Sequence, residues 1–257
     1  MLGWMDLSKF DFRVVMLFEE VQLQWLFRWH NLDVIAVLLK RYPEVSDHIK
    51  YKAPSLRKKI EELENRESSF AYTPELERTL INKLEDWIVY VTEPQKYDEQ
   101  SFNSWDSDEL LSLVDFREKT VIDIGSGTGS QTFRIAPYAK TIFSVEPIGN
   151  LRLFIKNKRD ALGYSNIYVV DGLMSELPFP DNFSDVIVSG HVFGDYKDEE
   201  YSEMYRVVKT GGMIILIPGN NDEDNETHDF LVRKGFNFAS FLEPGDGMKR
   251  KYWLIKK

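Results

Sequence analysis

Beyond residue 108 the chain reads as short apolar runs, at 120–124, 141–145, 167–170, 185–189 and 212–217, separated by longer stretches of mixed polarity. Apolar positions recur at helical spacing over 129–136, 149–161 and 197–208, which fills three of the connections, and 173–184 is a loop-rich fourth. Strands that alternate with helices imply crossover units, and hence a parallel sheet covered on both faces. The end of the chain breaks this rhythm. A helix over 226–234 precedes two β-rich runs, 236–242 and 251–255, close enough in sequence to pair as an antiparallel hairpin. The expected architecture is α/β: a seven-stranded, mostly parallel sheet closed by an antiparallel C-terminal hairpin.

Upstream the pattern is helical throughout. It predicts a long helix from Phe10 to Trp29, a second from Leu32 to Leu39 stopped at Tyr42-Pro43, and a third from Ser55 to Arg66. In the third, Lys58 can pair with Glu62 one turn on, and Lys59 with Glu62 three residues on. Thr73 reads as an N-cap, with Pro74 at the first helical position and Glu75 and Glu77 favouring the positive end of the dipole; this helix runs to Thr92. The polar and aromatic mixture from Pro94 to Asp108 reads as a connecting loop. The chain therefore divides into a helical region, 1–107, and a core, 108–257.

Composition narrows the class. With 43% hydrophobic and 29% charged residues the chain belongs with folded globular proteins. Its 42 acidic against 32 basic side chains leave a net charge of -10, which works against binding to nucleic acid or to anionic lipid. Lys249, Arg250 and Lys251 form a local basic run, read as a solvated strand end. There is no cysteine, so disulfides, cysteine metal sites and thiol nucleophiles are all excluded. No apolar run approaches the roughly 20 residues of a membrane span, and Met1 to Asp6 lacks the layout of a signal peptide, so the expected compartment is the cytoplasm.

The chemistry gathers at strand ends. The run 120–124 leads straight into Gly125-Ser126-Gly127-Thr128-Gly129 and then a helix, so backbone can approach a ligand closely and helical N–H groups are open to an anionic group. Nucleotide-binding folds in general share that feature. Glu146 follows the second strand, 17 residues after Gly129, where a carboxylate can accept both hydrogen bonds of a ribose diol. Asp171 follows the third, suited to an exocyclic amine, with Gly172-Leu173 offering backbone to a ring edge. A rival pattern, Tyr205-x-x-x-Lys209, has the spacing seen in short-chain dehydrogenases, but the glycine loop has the wrong spacing for that family.

Taken in order, Asp123 to Gly129, Glu146-Pro147, Asp171 with Leu177 to Asp181, Asp185 to Ser189, and Glu203 with Arg206 to Gly212 resemble the class I S-adenosylmethionine-dependent methyltransferases. The likeness is strongest to the ubiquinone- and menaquinone-biosynthesis type. It covers roughly residues 108–257 and implies a Rossmann-like sheet and S-adenosyl-L-methionine as cofactor. It further implies that Gly125, Gly127 and Gly129 border the methionine part of the cofactor, with Asp123 and Ser126 as further cofactor-binding residues. Glu146 would hold the ribose and Asp171, Gly172 and Leu173 the adenine, with Pro147 and Ser189 as further cofactor-binding residues. After that strand this chain has Gly194-Asp195 where relatives often carry histidine.

Methyl transfer from a sulfonium is an in-line displacement, and a base is required only where the acceptor must lose a proton. His191, just past the fourth strand, is the catalytic candidate, and Asp195 and Tyr196 lie on the same loop. Ser189 ends the fourth strand where metal-assisted oxygen methylation needs an acid, and no cluster has metal-ligand spacing, so no metal is expected. The expected partner is a small-molecule substrate; the alternatives are a protein or RNA acceptor, or a catalytically silent chain that uses the cofactor fold as a binding module. The helical region is expected to cover that substrate, with Trp25, Phe27, Trp29 and Trp105 as lining or core residues, or else to form a homodimer interface.

Overall fold

In a computed structural model that describes residues 2–67 and 70–257, the chain forms two compact units, Met1–Tyr97 and Asp98–Lys257. The first is all helical: a 3-10 turn (Phe12–Leu17), then α1 (Glu20–Trp29), α2 (Leu32–Arg41), α3 (Pro43–Lys52), α4 (Arg57–Asn65), α5 (Pro74–Lys83) and α6 (Glu85–Thr92). The short α7 (Pro94–Asp98) follows. Phe12, Phe18, Leu23, Leu26, Ile35, Leu38, Ile49 and Ile60 are wholly buried in the core of this unit.

Three helical expectations need correction here. The apolar run Phe10–Trp29 is two elements, because Phe18 and Glu19 are extended and Glu19 opens α1 with a capping box in which its N–H donates to Gln22 Oε1 at 3.0 Å. Pro43 does not merely stop α2; it opens α3, at the position where a missing N–H is harmless. The helix after Thr73 is broken at Leu84 into α5 and α6. The Thr73 cap is present, its Oγ1 accepting from Leu76 N at 3.1 Å. Lys58 lies 4.0 Å from Glu62, whereas Lys59 turns instead to the Phe27 carbonyl at 3.0 Å.

The second unit contains α8 (Asp108–Leu111), β1 (Thr120–Ile124), α9 (Ser130–Ile135), β2 (Thr141–Val145), α10 (Gly149–Leu162), β3 (Ile167–Val170) and β4 (Ser184–Ser189). It continues through α11 (Lys197–Val207), β5 (Val208–Asn221), α12 (Glu226–Arg233), β6 (Asn237–Glu243) and β7 (Gly247–Ile255). The strands form one seven-stranded sheet in the order β3-β2-β1-β4-β5-β7-β6, parallel except for β7, which pairs antiparallel with both β5 and β6. This is the Rossmann-like sheet with an antiparallel closing hairpin that the sequence predicts. Val121, Ile122, Val186, Ile187, Val188 and Ile214 to Ile217 are buried, as continuous apolar runs on central strands with helices on both faces must be.

Chain order reverses between β1 and β4, and a crevice at the carboxyl ends of the strands is built into such a reversal. Residues 98–107 belong to this unit. Lys158 holds Asp98 at 2.7 Å, the Arg134 guanidinium donates to Ser107 Oγ at 2.6 Å, and Trp105 is buried against Phe241 beneath Arg134. No helix among the described residues is long and apolar enough to cross a membrane.

Candidate functional site

The loop after β1 is folded by its glycines, since Gly125, Gly127 and Gly129 all have positive φ, at 65°, 57° and 89°. The Gly125 and Ser126 N–H groups both donate to the Val145 carbonyl, at 2.8 and 3.1 Å, which fastens the loop to the end of β2. A side chain at Gly125 would meet Val192 Cγ2 at 2.2 Å, so the segment after β4 lies directly against the loop. Ser126 Oγ turns inward to the Asp123 carbonyl at 2.8 Å.

Glu146 ties these pieces together. Its Oε2 accepts from Gly127 N and its Oε1 from Ile148 N, both at 2.9 Å, while the Arg152 guanidinium donates to the Glu146 carbonyl at 2.8 Å and to Asp171 Oδ1 at 2.9 Å. Pro147 is the corner between the Glu146 carboxylate and the Ile148 N–H that it accepts. The Glu146 carboxyl is pushed up to about 7 by burial, against the pull of those two N–H groups and Arg152. Asp123, buried beneath the loop, accepts from Thr132 Oγ1 at 2.5 Å and is pushed up to about 6, again by burial.

Asp171, by contrast, is largely exposed and holds Arg152 on the rim. Gly172 is packed between Val145 and Pro178, and Leu173 bridges to Glu176. Ser189 is buried, and its hydroxyl donates to the Ile124 carbonyl at 2.9 Å, stapling β4 to β1 at the switch point. His191 stands just beyond, its Nε2 2.9 Å from Glu243 Oε1. Asp123 to Gly129, Glu146, Asp171 to Leu173 and Ser189 to His191 therefore all sit at the carboxyl ends of β1 to β4.

The residues fit a ligand rich in donors and positive charge. Buried acceptors Thr128 Oγ1 and Gln131 Oε1 have no hydrogen-bond partner among the described residues, and two buried carboxyl groups, Asp123 and Glu146, lie under and beside the loop. Four contributors escaped the sequence reading: Arg152, Gln131, Gly190 and Glu243. Arg152 reaches Glu146 and Asp171 only because α10 folds back over the strand ends, and Glu243 is brought from β6. The one local hint was a lone acid closing an aromatic strand, Phe241-Leu242-Glu243.

Other candidates are engaged elsewhere. Lys209 Nζ pairs with Asp185 at 2.8 Å at the amino end of β4, and Tyr205 packs at a tilt against Tyr201, so the Tyr-x-x-x-Lys pair is structural. Lys249, Arg250 and Lys251 are each neutralised, by Asp246, by Asp222 with Asp224, and by Glu109, and form no basic patch. Glu200 accepts from Gly194 N and Tyr196 N at 2.8 and 3.0 Å and so shapes the Asp195 loop. Phe27 and Trp105 are core residues, whereas Trp29 is 44% exposed and stacks on Trp25 at 5.5 Å.

Residues 122–216 match the family model described as a methyltransferase domain. An uncharacterized methyltransferase of Anoxybacillus flavithermus is 24% identical over 182 residues, covering 68% of this chain and 83% of the relative. The demethylmenaquinone methyltransferase of Bacillus licheniformis is 32% identical over 124 residues, 45% of this chain and 52% of the relative. Among solved structures, a SAM-dependent methyltransferase from Aquifex aeolicus superposes with a TM-score of 0.50 at 18% identity, covering 63% of this chain and 96% of that one, a likeness of fold.

Proposed function

We infer that this chain, which belongs to the class I S-adenosylmethionine-dependent methyltransferases, methylates a small-molecule acceptor by in-line displacement. S-adenosylmethionine, when bound, supplies a methyl group made electrophilic by its sulfonium. The glycine loop with Asp123, Ser126 and the unpartnered acceptors of Thr128 and Gln131 is assigned to the methionine part. Glu146 and Pro147 are assigned to the ribose, Asp171, Gly172 and Leu173 to the adenine, and Ser189 to the wall of the site. One observation carries the assignment: the 2.9 Å bond from Gly127 N to Glu146 Oε2, which makes the loop and the ribose acid a single unit. Burial of Asp123 and Glu146 sets negative potential beside the place where a cationic ligand would lie.

A small acceptor is favoured by the net charge of -10, which repels polyanions, and one relative is named for a small molecule, demethylmenaquinone. The cytoplasm is its proposed compartment. The helical unit is assigned to acceptor selection or to self-association; a monomer at all concentrations in sedimentation velocity removes the second. Calorimetric titration of the full chain with S-adenosylmethionine tests the cofactor assignment, and a metabolite screen for S-adenosylhomocysteine release tests the acceptor class. A folded protein that shows no saturable cofactor binding would sink the site assignment.

Cofactor affinity should also depend on pH. Only an ionised Glu146 can accept two ribose hydroxyls while holding Gly127 and Ile148, and its carboxyl is raised from 4.5 to about 7. Affinity is therefore full above that value and falls below it, by about tenfold between pH 8 and pH 6, measured as Kd in calorimetry. The ligand-free fold runs the other way. A carboxyl whose folded value lies above its unfolded one makes the fold lose stability as pH rises from about 4.5 to about 7. A Kd constant across that range contradicts the role given to Glu146.

A further inference from the structure

His191 occupies the left-handed region at φ 60°, a conformation unfavourable for most side chains and one that histidine tolerates better than most. Its N–H donates to the Pro218 carbonyl at 2.9 Å. Both neighbours press on the cofactor loop and its helix. A Cβ at Gly190 would meet Gln131 Nε2 at 2.3 Å, and Val192 fills the space where a Gly125 side chain would stand. His191 is thus pinned beside the glycine loop.

The ring is oriented from the opposite side. Nε2 lies 2.9 Å from Glu243 Oε1, and Phe102 meets the imidazole edge-on at 6.3 Å. The imidazole side chain is 42% exposed and the Glu243 side chain 0%. Glu243 Oε2 is buried without a hydrogen-bond partner among the described residues, an arrangement that costs stability and calls for a reason. Lys249, on the same hairpin, is taken up by Asp246 at 2.7 Å and Asn221 at 2.6 Å. Asp246, which also neighbours the Glu243 carboxyl, is held below the usual carboxylate range chiefly by Lys249.

We propose that His191 and Glu243 form the proton-accepting pair of this enzyme, with Nδ1 as the accepting atom and Glu243 as its positioning residue. The acceptor then carries a proton on its nucleophilic oxygen, nitrogen or sulfur. This rests on the methyltransferase reading above. Because Glu243 accepts from Nε2–H, the imidazole is held in the tautomer that leaves the Nδ1 lone pair open. In the transfer the acceptor's X–H bond breaks and its proton passes to Nδ1. The X electron pair forms the new bond to the methyl carbon, and the C–S pair stays on sulfur, which becomes a neutral thioether. The positive charge that began on sulfur ends on the imidazolium, against the Glu243 carboxylate. No further reactant is required.

The test is 15N NMR of the full chain labelled at histidine, with His191 identified by the signal lost in His191→Asn. At about pH 8 the His191 ring should be the neutral Nε2–H tautomer with Nδ1 unprotonated, and Glu243→Leu should turn it into a mixture of tautomers. An ion pair that only anchors the hairpin would instead keep both nitrogens protonated, and that result, or a neutral Nδ1–H form, overturns the proposal. The wild-type spectrum decides this even if Glu243→Leu fails to fold. Titration of the wild-type chain with S-adenosylmethionine keeps the two readings apart. Absence of binding by the wild type would remove the cofactor assignment and leave the tautomer result standing.

Discussion

Glu146→Ala should weaken S-adenosylmethionine binding by about 100-fold or more, because two charge-assisted acceptor positions are lost, each contributing about 1.5–3 kcal/mol. The same change leaves the Gly127 and Ile148 N–H groups, now 2.9 Å from the carboxylate oxygens, without an acceptor in a buried place. The loop that Glu146 holds would then lose its anchor as well as its ligand contact. The fold should suffer less than binding does. At neutral pH burial works against the charged form of this carboxyl, as its rise to about 7 records, so its removal relieves part of what the lost hydrogen bonds cost. Calorimetry at about pH 8 beside a thermal melt separates the two quantities; a Kd within about threefold of wild type would dismiss Glu146 as the ribose acid.

Gly190→Ala should destabilise the second unit by about 2–3 kcal/mol, the range of core overpacking. Its backbone is not left-handed, so sterics alone are at issue. The added Cβ would stand 2.7 Å from the Ile217 carbonyl oxygen and 2.3 Å from Gln131 Nε2, the very groups that bond each other at 2.6 Å. The carbonyl belongs to the sheet and cannot move aside without parting β4 from β5. A drop in melting temperature of roughly 5–10 °C is expected by circular dichroism. Cofactor affinity should fall with it, because Gln131 lies in the first turn of α9, just after the glycine loop. A melting temperature unchanged by the substitution would show that this end of the sheet has slack that the packing does not suggest.

Helix boundaries in the N-terminal unit show what periodicity cannot see. The apolar run from Phe10 to Trp29 has helical spacing, yet Phe18 is buried by an extended backbone and Glu19 restarts the helix with its own cap. Spacing reports which face is apolar, not whether the chain turns between two such faces. Likewise the change of texture near residue 108 marks the approach to β1. Where the units separate is a matter of packing: Asp98, Trp105 and Ser107 join the sheet through Lys158, Phe241 and Arg134.

By itself the sequence determined the seven-stranded sheet with its antiparallel closing hairpin, and the cofactor class. Apolar runs, crossover lengths and the glycine loop are local in the chain, and Glu146 and Asp171 follow their strands at fixed places in a crossover unit. Only the tertiary structure decided what each acid does. Burial raises Asp123 and Glu146, whereas Asp171 stands exposed on the rim, and desolvation depends on what surrounds a group in space. The tertiary structure also decided that His191 has a partner. Glu243 lies 52 residues away on β6, and no pattern along the chain encodes that closure, which follows from β7 pairing with both β5 and β6.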